Sequence, residues 1–289
     1  MAIGLRLLYI SPMRLIVLSD IHANRMALHA VLSAVKHLAP DQVVVAGDVI
    51  NRGPHSLACW SLIQEQRRTQ GWQVIKGNHE DYVLHAAATP HLVQAWEHEF
   101  FAHTRWTVEQ VRPALPDLQA LPDQLSLTDP AGGEIRFLHA SMQGNRCGLY
   151  EDMEDEHLAS LVAPAPRVLV AGHTHIPFVR QVGATLVVNA GSAGLPFDGD
   201  PRVSLAVLDW KAGHWQARIE RVAYDRSAAE RDFVSTGYLA DGGPMIPLIL
   251  DELRHARPRL GQWHRTFEAE VRAGKYTVKE SVDLLLKNH

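Results

Sequence analysis

Short, wholly apolar runs along the chain alternate with longer stretches in which apolar residues recur every three or four positions. Leu15-Ile-Val-Leu18, Val43-Val-Val-Ala46 and Gln73-Val-Ile-Lys76 have the length and β-branched content of buried strands. Between the first two, Met26, Leu28, Val31, Leu32, Val35 and Leu38 share one face of a helix over residues 25–38, which Pro40 closes. Residues 55–69 predict a second helix. Strand, helix, strand, helix, strand is the order of a parallel α/β sheet.

From about 80 to 120 the pattern turns helical (Leu92, Trp96, Phe100), with Pro113, Pro116 and Pro122 breaking its later part. This predicts a helical insertion able to cover a site. Strands return at 135–138, 168–171, 185–188, 204–208 and 216–219, with few helices between them after residue 165, which suggests a second, largely antiparallel sheet. Residues 226–289 read as helical; Val278, Val282, Leu285 and Leu286 lie on one face that should dock on the body. With no repeat, low-complexity tract or linker, the chain reads as one domain over 1–289, with its core at about 14–222.

Composition is ordinary for a globular chain of 289 residues, 46% hydrophobic and 21% charged. A net charge of −4 gives no global field for nucleic acid or membrane, and no basic run with interleaved aromatics suggests a nuclease channel. No apolar run reaches the roughly 20 residues of a membrane span. The two cysteines, Cys59 and Cys147, form no CxxC pair, which fits a reducing cytoplasm. The first ten residues are too short for a signal peptide, and Met13 reads as the natural start.

The chemistry gathers at the strand ends. Asp20 and His22 follow the first strand, Gly47-Asp48 the second and Gly77-Asn78-His79 the third, while His139 and Gly172-His173-Thr-His175 follow later ones. In open α/β sheets ligands collect beyond such ends. Carboxylate, imidazole and amide oxygen suit divalent metals of borderline to hard character. The set is too large for one ion, whereas two ions about 3.5–4 Å apart sharing a carboxylate would use it fully. Each motif alone is commonplace; five in consistent order after apolar runs are not.

Asp20-Ile-His22, Gly47-Asp48, Gly77-Asn-His-Glu80, His139 and Gly172-His-Thr-His175, with Gly53-Pro54 and Asn189-Ala-Gly-Ser192, resemble the signature of the calcineurin-like metallophosphoesterases over most of residues 14–222. The small bacterial phosphodiesterase branch is the most similar, followed by the diadenosine tetraphosphatase and serine/threonine protein phosphatase branches. The resemblance implies an α/β fold, a four-layer α-β-β-α sandwich of two mixed sheets. It implies Asp20, His22 and His175 on a first metal, Asn78, His139 and His173 on a second, and Asp48 bridging both. Manganese is the first expectation for the pair, with iron, zinc, nickel or magnesium as alternatives. The implied reaction is hydrolysis of a small phosphate ester by in-line attack of a metal-activated water, with His79 as proton donor to the leaving group and Arg52 gripping phosphate.

Protein phosphatases of the superfamily carry Asp where this chain has Asn51, which cannot supply negative charge to His79. That counts against a protein phosphatase and leaves Asn51 as a substrate-side residue. Dinucleoside-polyphosphate hydrolysis is a second enzymatic expectation. A catalytically silent binding module of the same fold predicts gaps among the ligands, and there are none. Glu80 and Asp81 could orient His79 or simply favour a helix start. The acidic run 151–156 reads as a solvated helix start, and Asp198 and Asp200 as a turn that could approach the site.

Overall fold

The computed structural model describes residues 13–89 and 94–287. The segment 1–12 and Leu92 of the expected helical period lie outside the described residues. Strand β1 (Met13–Leu18), helix α1 (Arg25–Leu38), β2 (Gln42–Val45), α2 (Ser56–Gln70) and β3 (Gln73–Val74) form the expected opening unit. β1 and β2 are parallel, as are β2 and β3. The third strand is shorter than its apolar run: Ile75 N–H still reaches Val45 O, but Lys76 N–H turns to Pro122 O.

Helices α3 (Asn78–Ala88), α4 (Ala95–Phe100), α5 (Ala102–Val111) and α6 (Leu115–Gln119) follow. The second half begins with β4 (Gln124–Thr128) and β5 (Glu134–Leu138), then α7 (Asp155–Val162), β6 (Val168–Ala171), β7 (Phe178–Val182), β8 (Thr185–Asn189), β9 (Val203–Lys211) and β10 (His214–Val222). Helices α8 (Arg226–Ser235), α9 (Tyr238–Asp241), α10 (Ile246–His255), α11 (Arg259–Arg272) and α12 (Val278–Lys287) close the described chain. None of the described helices is long and apolar enough to cross a membrane.

The described residues form two mixed five-stranded sheets, in the orders β10-β9-β1-β2-β3 and β4-β5-β6-β8-β7. This corrects the expectation of a largely antiparallel second sheet: β5, β6 and β8 run parallel, and only the edge strands β4 and β7 are antiparallel to their neighbours. β9 and β10 instead complete the first sheet, β9 pairing antiparallel with β1. β9 is buried on both faces over nearly its whole length, so its sequence has no alternation to reveal which sheet it joins.

The period of two in β1 divides the layers. Leu15 and Val17 face the second sheet, in a core with Phe137, Val168, Val170 and Leu208. Ile16 and Leu18 face α1 and α2, packing with Leu28, Val31, Cys59 and Ile63. On the outer face of the second sheet, Leu169 and Val187 pack under Leu158, Leu161 and Val162 of α7. The result is helix, sheet, sheet, helix. A further apolar cluster joins α8–α12 to Phe100 of α4, and there Val278, Val282 and Leu285 dock beside Trp263.

Candidate metal centre

The loops leaving β1, β2, β3, β5 and β6 converge, and their polar side chains meet. His22 Nε2 lies 3.1 Å from His175 Nε2, and His175 Nε2 lies 3.1 Å from Asp20 Oδ1. On the other side, Asn78 Oδ1 is 2.8 Å from His139 Nε2 and 2.9 Å from His173 Nδ1. Asp48 Oδ2 stands between the two groups, 3.3 Å from His139 Nε2 and 3.7 Å from His22 Nε2. All seven residues expected as ligands are therefore brought together, in two groups that share one carboxylate oxygen.

Four of these side chains are aimed by their outer atoms, whereas His22 Nδ1 is buried without a hydrogen-bond partner among the described residues. His139 Nδ1–H donates to Ala46 O at 2.8 Å, and His175 Nδ1–H to Leu195 O at 2.5 Å. Both Nε2 lone pairs are thus left facing inward, the arrangement a cation-binding imidazole needs. Asp48 Oδ1 accepts the His79 backbone N–H at 2.9 Å, and Asp20 Oδ2 that of His173 at 2.8 Å. Asp20 Oδ1 is buried and without a hydrogen-bond partner among the described residues. A buried carboxylate oxygen among inward-facing nitrogen lone pairs is costly unless a cation sits among them. The donors fit a divalent ion in type, number and burial.

The charges agree. Burial alone would raise the Asp20 and Asp48 carboxyls, yet neighbouring imidazoles, led by His175 for Asp20 and by His139 for Asp48, hold both well below the usual carboxylate range. Burial pushes His22 and His173 down to about 4. His139 goes the other way: burial would lower it, but Asp48 and then Asp20 override this and push it up to about 10, so that without a cation its Nε2 takes up a proton in the place a cation would fill. The centre holds two buried anions and demands positive charge.

Glycine permits the approach. A Cβ on Gly77 would stand 2.1 Å from Asp48 Oδ1, and one on Gly47, where φ is +90°, 2.6 Å from Gly77 N. The ends of β2 and β3 can bring Asp48 and Asn78 together because neither carries a side chain there.

His79 and Arg52 flank the ligands. A His79 ring nitrogen lies within 4.8 Å of ligand atoms of His22 and Asp48. Asn51 Nδ2 is 3.0 Å from His79 Nδ1. The amide orientation is set by Arg52 N–H, which donates to Asn51 Oδ1 at 2.9 Å, and by Thr107 Oγ1, which donates to the same oxygen. Asn51 therefore donates to His79 Nδ1, and a neutral His79 carries its proton on Nε2. The Arg52 guanidinium lies 5.6 Å from the Phe197 ring centroid, and Phe197 stacks on His175 at 4.2 Å.

Other expectations part from the site. Glu80 does not orient His79. Fully buried, its carboxylate accepts backbone N–H groups of Asp48, Val49, Ile50 and Gly77 at 2.8–3.3 Å and so braces the Asp48 loop. Burial and then the Asp48 charge push it up to about 7 against those hydrogen bonds. Asp81 pairs with Lys76. Asp198 and Asp200 pair with Arg221 and Arg202 and stay away from the ligands. Asp155 begins α7 and pairs with Arg180. In Asn189-Ala-Gly-Ser192, Asn189 Nδ2 holds Gly172 O at 2.9 Å and Ser192 Oγ holds Asp20 O at 2.7 Å, so that motif ties two ligand loops by their backbones. Phe197, Thr104 and Thr107 border the site without lying in any motif; no sequence pattern marks them.

The family model for the calcineurin-like phosphoesterase superfamily domain matches residues 13–213. A protein of Methanocaldococcus jannaschii, itself uncharacterized, is 26% identical over 234 residues, covering 75% of this chain and 90% of its own length. The crystal structure of a metallophosphoesterase from Sphaerobacter thermophilus aligns with a TM-score of 0.65 at 24% identity, over 85% of this chain and 100% of that one. The structure of a hypothetical protein from Pyrococcus horikoshii OT3 gives 0.72 at 17% identity, over 84% and 98%. At these identities the two structures speak for the fold alone.

Proposed function

Because the chain belongs to the calcineurin-like phosphoesterase superfamily, we propose that it hydrolyses a small phosphate ester at a centre of two divalent cations. The observation that carries this reading is the shared Asp48 Oδ2 between two groups of inward-facing donors. Asp20, His22 and His175 would hold one ion and Asn78, His139 and His173 the other, with manganese as first choice. Bound there, the ions supply a nucleophile from water near neutral pH and neutralise charge on the phosphoryl oxygens.

The chain's own residues would do the rest. Arg52 offers guanidinium N–H groups to a phosphoryl oxygen beside His22 and His175. His79, held by the Asn51 amide with its proton on Nε2, offers that N–H to the leaving oxygen. Double protonation would break the Asn51 bond, so its part is that of a neutral hydrogen-bond donor that stabilises charge developing on the leaving oxygen, and the proton itself comes from water. Asp20, His22, Asp48, Asn78, His139 and His175 are buried, whereas His79 and His173 are partly open. Substrate would enter on that side.

The test is turnover of bis-p-nitrophenyl phosphate, p-nitrophenyl phosphate and dinucleoside polyphosphates by Mn²⁺-reconstituted protein, with bound metal measured in parallel. Asp48→Asn should lose turnover and metal together. His79→Ala should lower kcat by about 10²-fold with metal retained, the usual range for losing one hydrogen bond to charge that develops in the transition state. Full turnover in Asp48→Asn would overturn the proposal.

A further inference from the structure

Arg52 is only 8% exposed, and its Nη2 donates at 2.8 Å to Oε2 of Glu252, a fully buried residue of α10. The other oxygen of Glu252 accepts Leu260 N–H at 2.8 Å at the start of α11, so both carboxylate oxygens are committed. Arg52 Nε is buried without a partner among the described residues. At its other end Arg52 has φ +61°, following Asn51 at +69°, and its backbone N–H is tied to Asn51 Oδ1. The guanidinium is thus anchored at both ends and faces Phe197, the ring stacked on His175. His22, Arg52 and Leu253 of α10 line one small cavity. Glu252 lies 200 residues from Arg52 and outside the residues the family model matches.

We infer that Glu252 is a positioning residue for Arg52: α10 supplies the carboxylate that fixes the guanidinium beside His22 and His175 and leaves Nε–H for a phosphate oxygen. This rests on the phosphoesterase reading. A buried guanidinium without a counter-ion would turn toward water or distort its loop, and a carboxylate taking one Nη leaves the remaining N–H groups for a second anion. The C-terminal helices are then part of the site and not merely a packed layer. A purely structural Glu252 would stabilise the fold without affecting what Arg52 binds.

The two roles separate in a double-mutant cycle on Mn²⁺-loaded protein, with the Kd of inorganic phosphate read by calorimetry and KM and kcat on bis-p-nitrophenyl phosphate. Arg52→Ala should weaken phosphate binding about 10- to 100-fold, the range for charge-assisted hydrogen bonds. Glu252→Gln keeps the shape and should weaken it several-fold, with KM rising more than kcat falls and bound metal unchanged. In the Arg52→Ala background the same change should move Kd less than about two-fold, because the coupling is gone. Glu252→Asp, which keeps the buried charge but draws it back by one methylene, should weaken binding in the same direction, and it serves if the Gln variant does not fold. Unchanged or tighter phosphate binding in the Glu252 variants, or equal losses in both backgrounds, would overturn the inference and leave the phosphoesterase reading standing. Wild-type protein that neither binds phosphate nor turns over any ester would take both down.

Discussion

Among the described residues, eight of the eleven non-glycine residues with positive φ are Asp20, His22, Ala23, Asp48, Asn51, Arg52, His173 and His175. Left-handed backbone at a residue with a Cβ costs on the order of 1 kcal/mol or more each. Their sum approaches the whole stability of an ordinary domain, so the surrounding hydrogen bonds must offset it. Glu80 is the clearest case. Glu80→Ala would leave four buried backbone N–H groups without their acceptor, at roughly 1–3 kcal/mol for each that finds no water. We expect it to lower the melting temperature and to weaken Mn²⁺ binding at least about ten-fold, a shift of about 1.4 kcal/mol, as read by calorimetry. Wild-type Mn²⁺ affinity would contradict the bracing role.

His103 gives a pH dependence away from the ligands. Burial, and next the Arg52 charge, push it down to about 3, while the ring donates to Phe100 O. The unfolded chain takes up a proton near pH 6.5 that the native ring refuses until about 3, so stability falls on acidification below 6.5. At pH 5 this single group costs about 2 kcal/mol. In metal-free protein, the stability lost in urea between pH 7.5 and pH 5 should be smaller by about that amount in His103→Gln. An identical loss in the variant would contradict the assignment.

For the elements, the site is built where strands stop. Gly77→Ala would drive a Cβ into the Asp48 carboxylate. We expect a soluble protein whose Mn²⁺ affinity falls about a hundred-fold, the upper range for losing an outer contact that orients a metal ligand; wild-type affinity by calorimetry would show that the loops can part without consequence. Four of the five elements that carry ligands were legible because two independent signals coincide in them, an apolar run rich in β-branched residues and a Gly or Ser followed by Asp, Asn or His; β5 lacks the second, His139 following Leu138 directly. The edge strands β4 and β7 lacked the second signal. Their faces are half exposed, so polar residues such as Gln124, Ser126 and Gln181 interrupt the apolar run. Sheet membership was less legible still, since β9 packs Leu205 and Val207 against the helices and Ala206 and Leu208 against the other sheet.

Across the whole molecule, the ligand set could be collected from sequence because metal donors are chemically distinctive, whereas their supports are not. Glu252 reaches the site through packing of α8–α12, held to α4 by Phe100 stacked on Trp263 at 5.1 Å and by Val278 N–H on Glu99 at 3.1 Å, and Phe197 through the loop between β8 and β9, its N–H on His175 O at 3.2 Å. No spacing rule links Arg52 to a carboxylate 200 residues away. Burial also decides which ion pairs matter. The exposed Glu65–Arg68 pair contributes on the order of 1 kcal/mol or less, whereas breaking the buried Arg52–Glu252 pair from one side strands a charge and costs about 3–5 kcal/mol.

The cation cage centred on Asp48 underlies every functional statement. Anomalous diffraction at the manganese edge from crystals grown with Mn²⁺ tests it most directly. Two peaks should appear, one among Asp20, His22 and His175 and one among Asn78, His139 and His173, both within bonding distance of an Asp48 oxygen. No peak among these residues, or a lone ion that does not touch Asp48, would contradict the account.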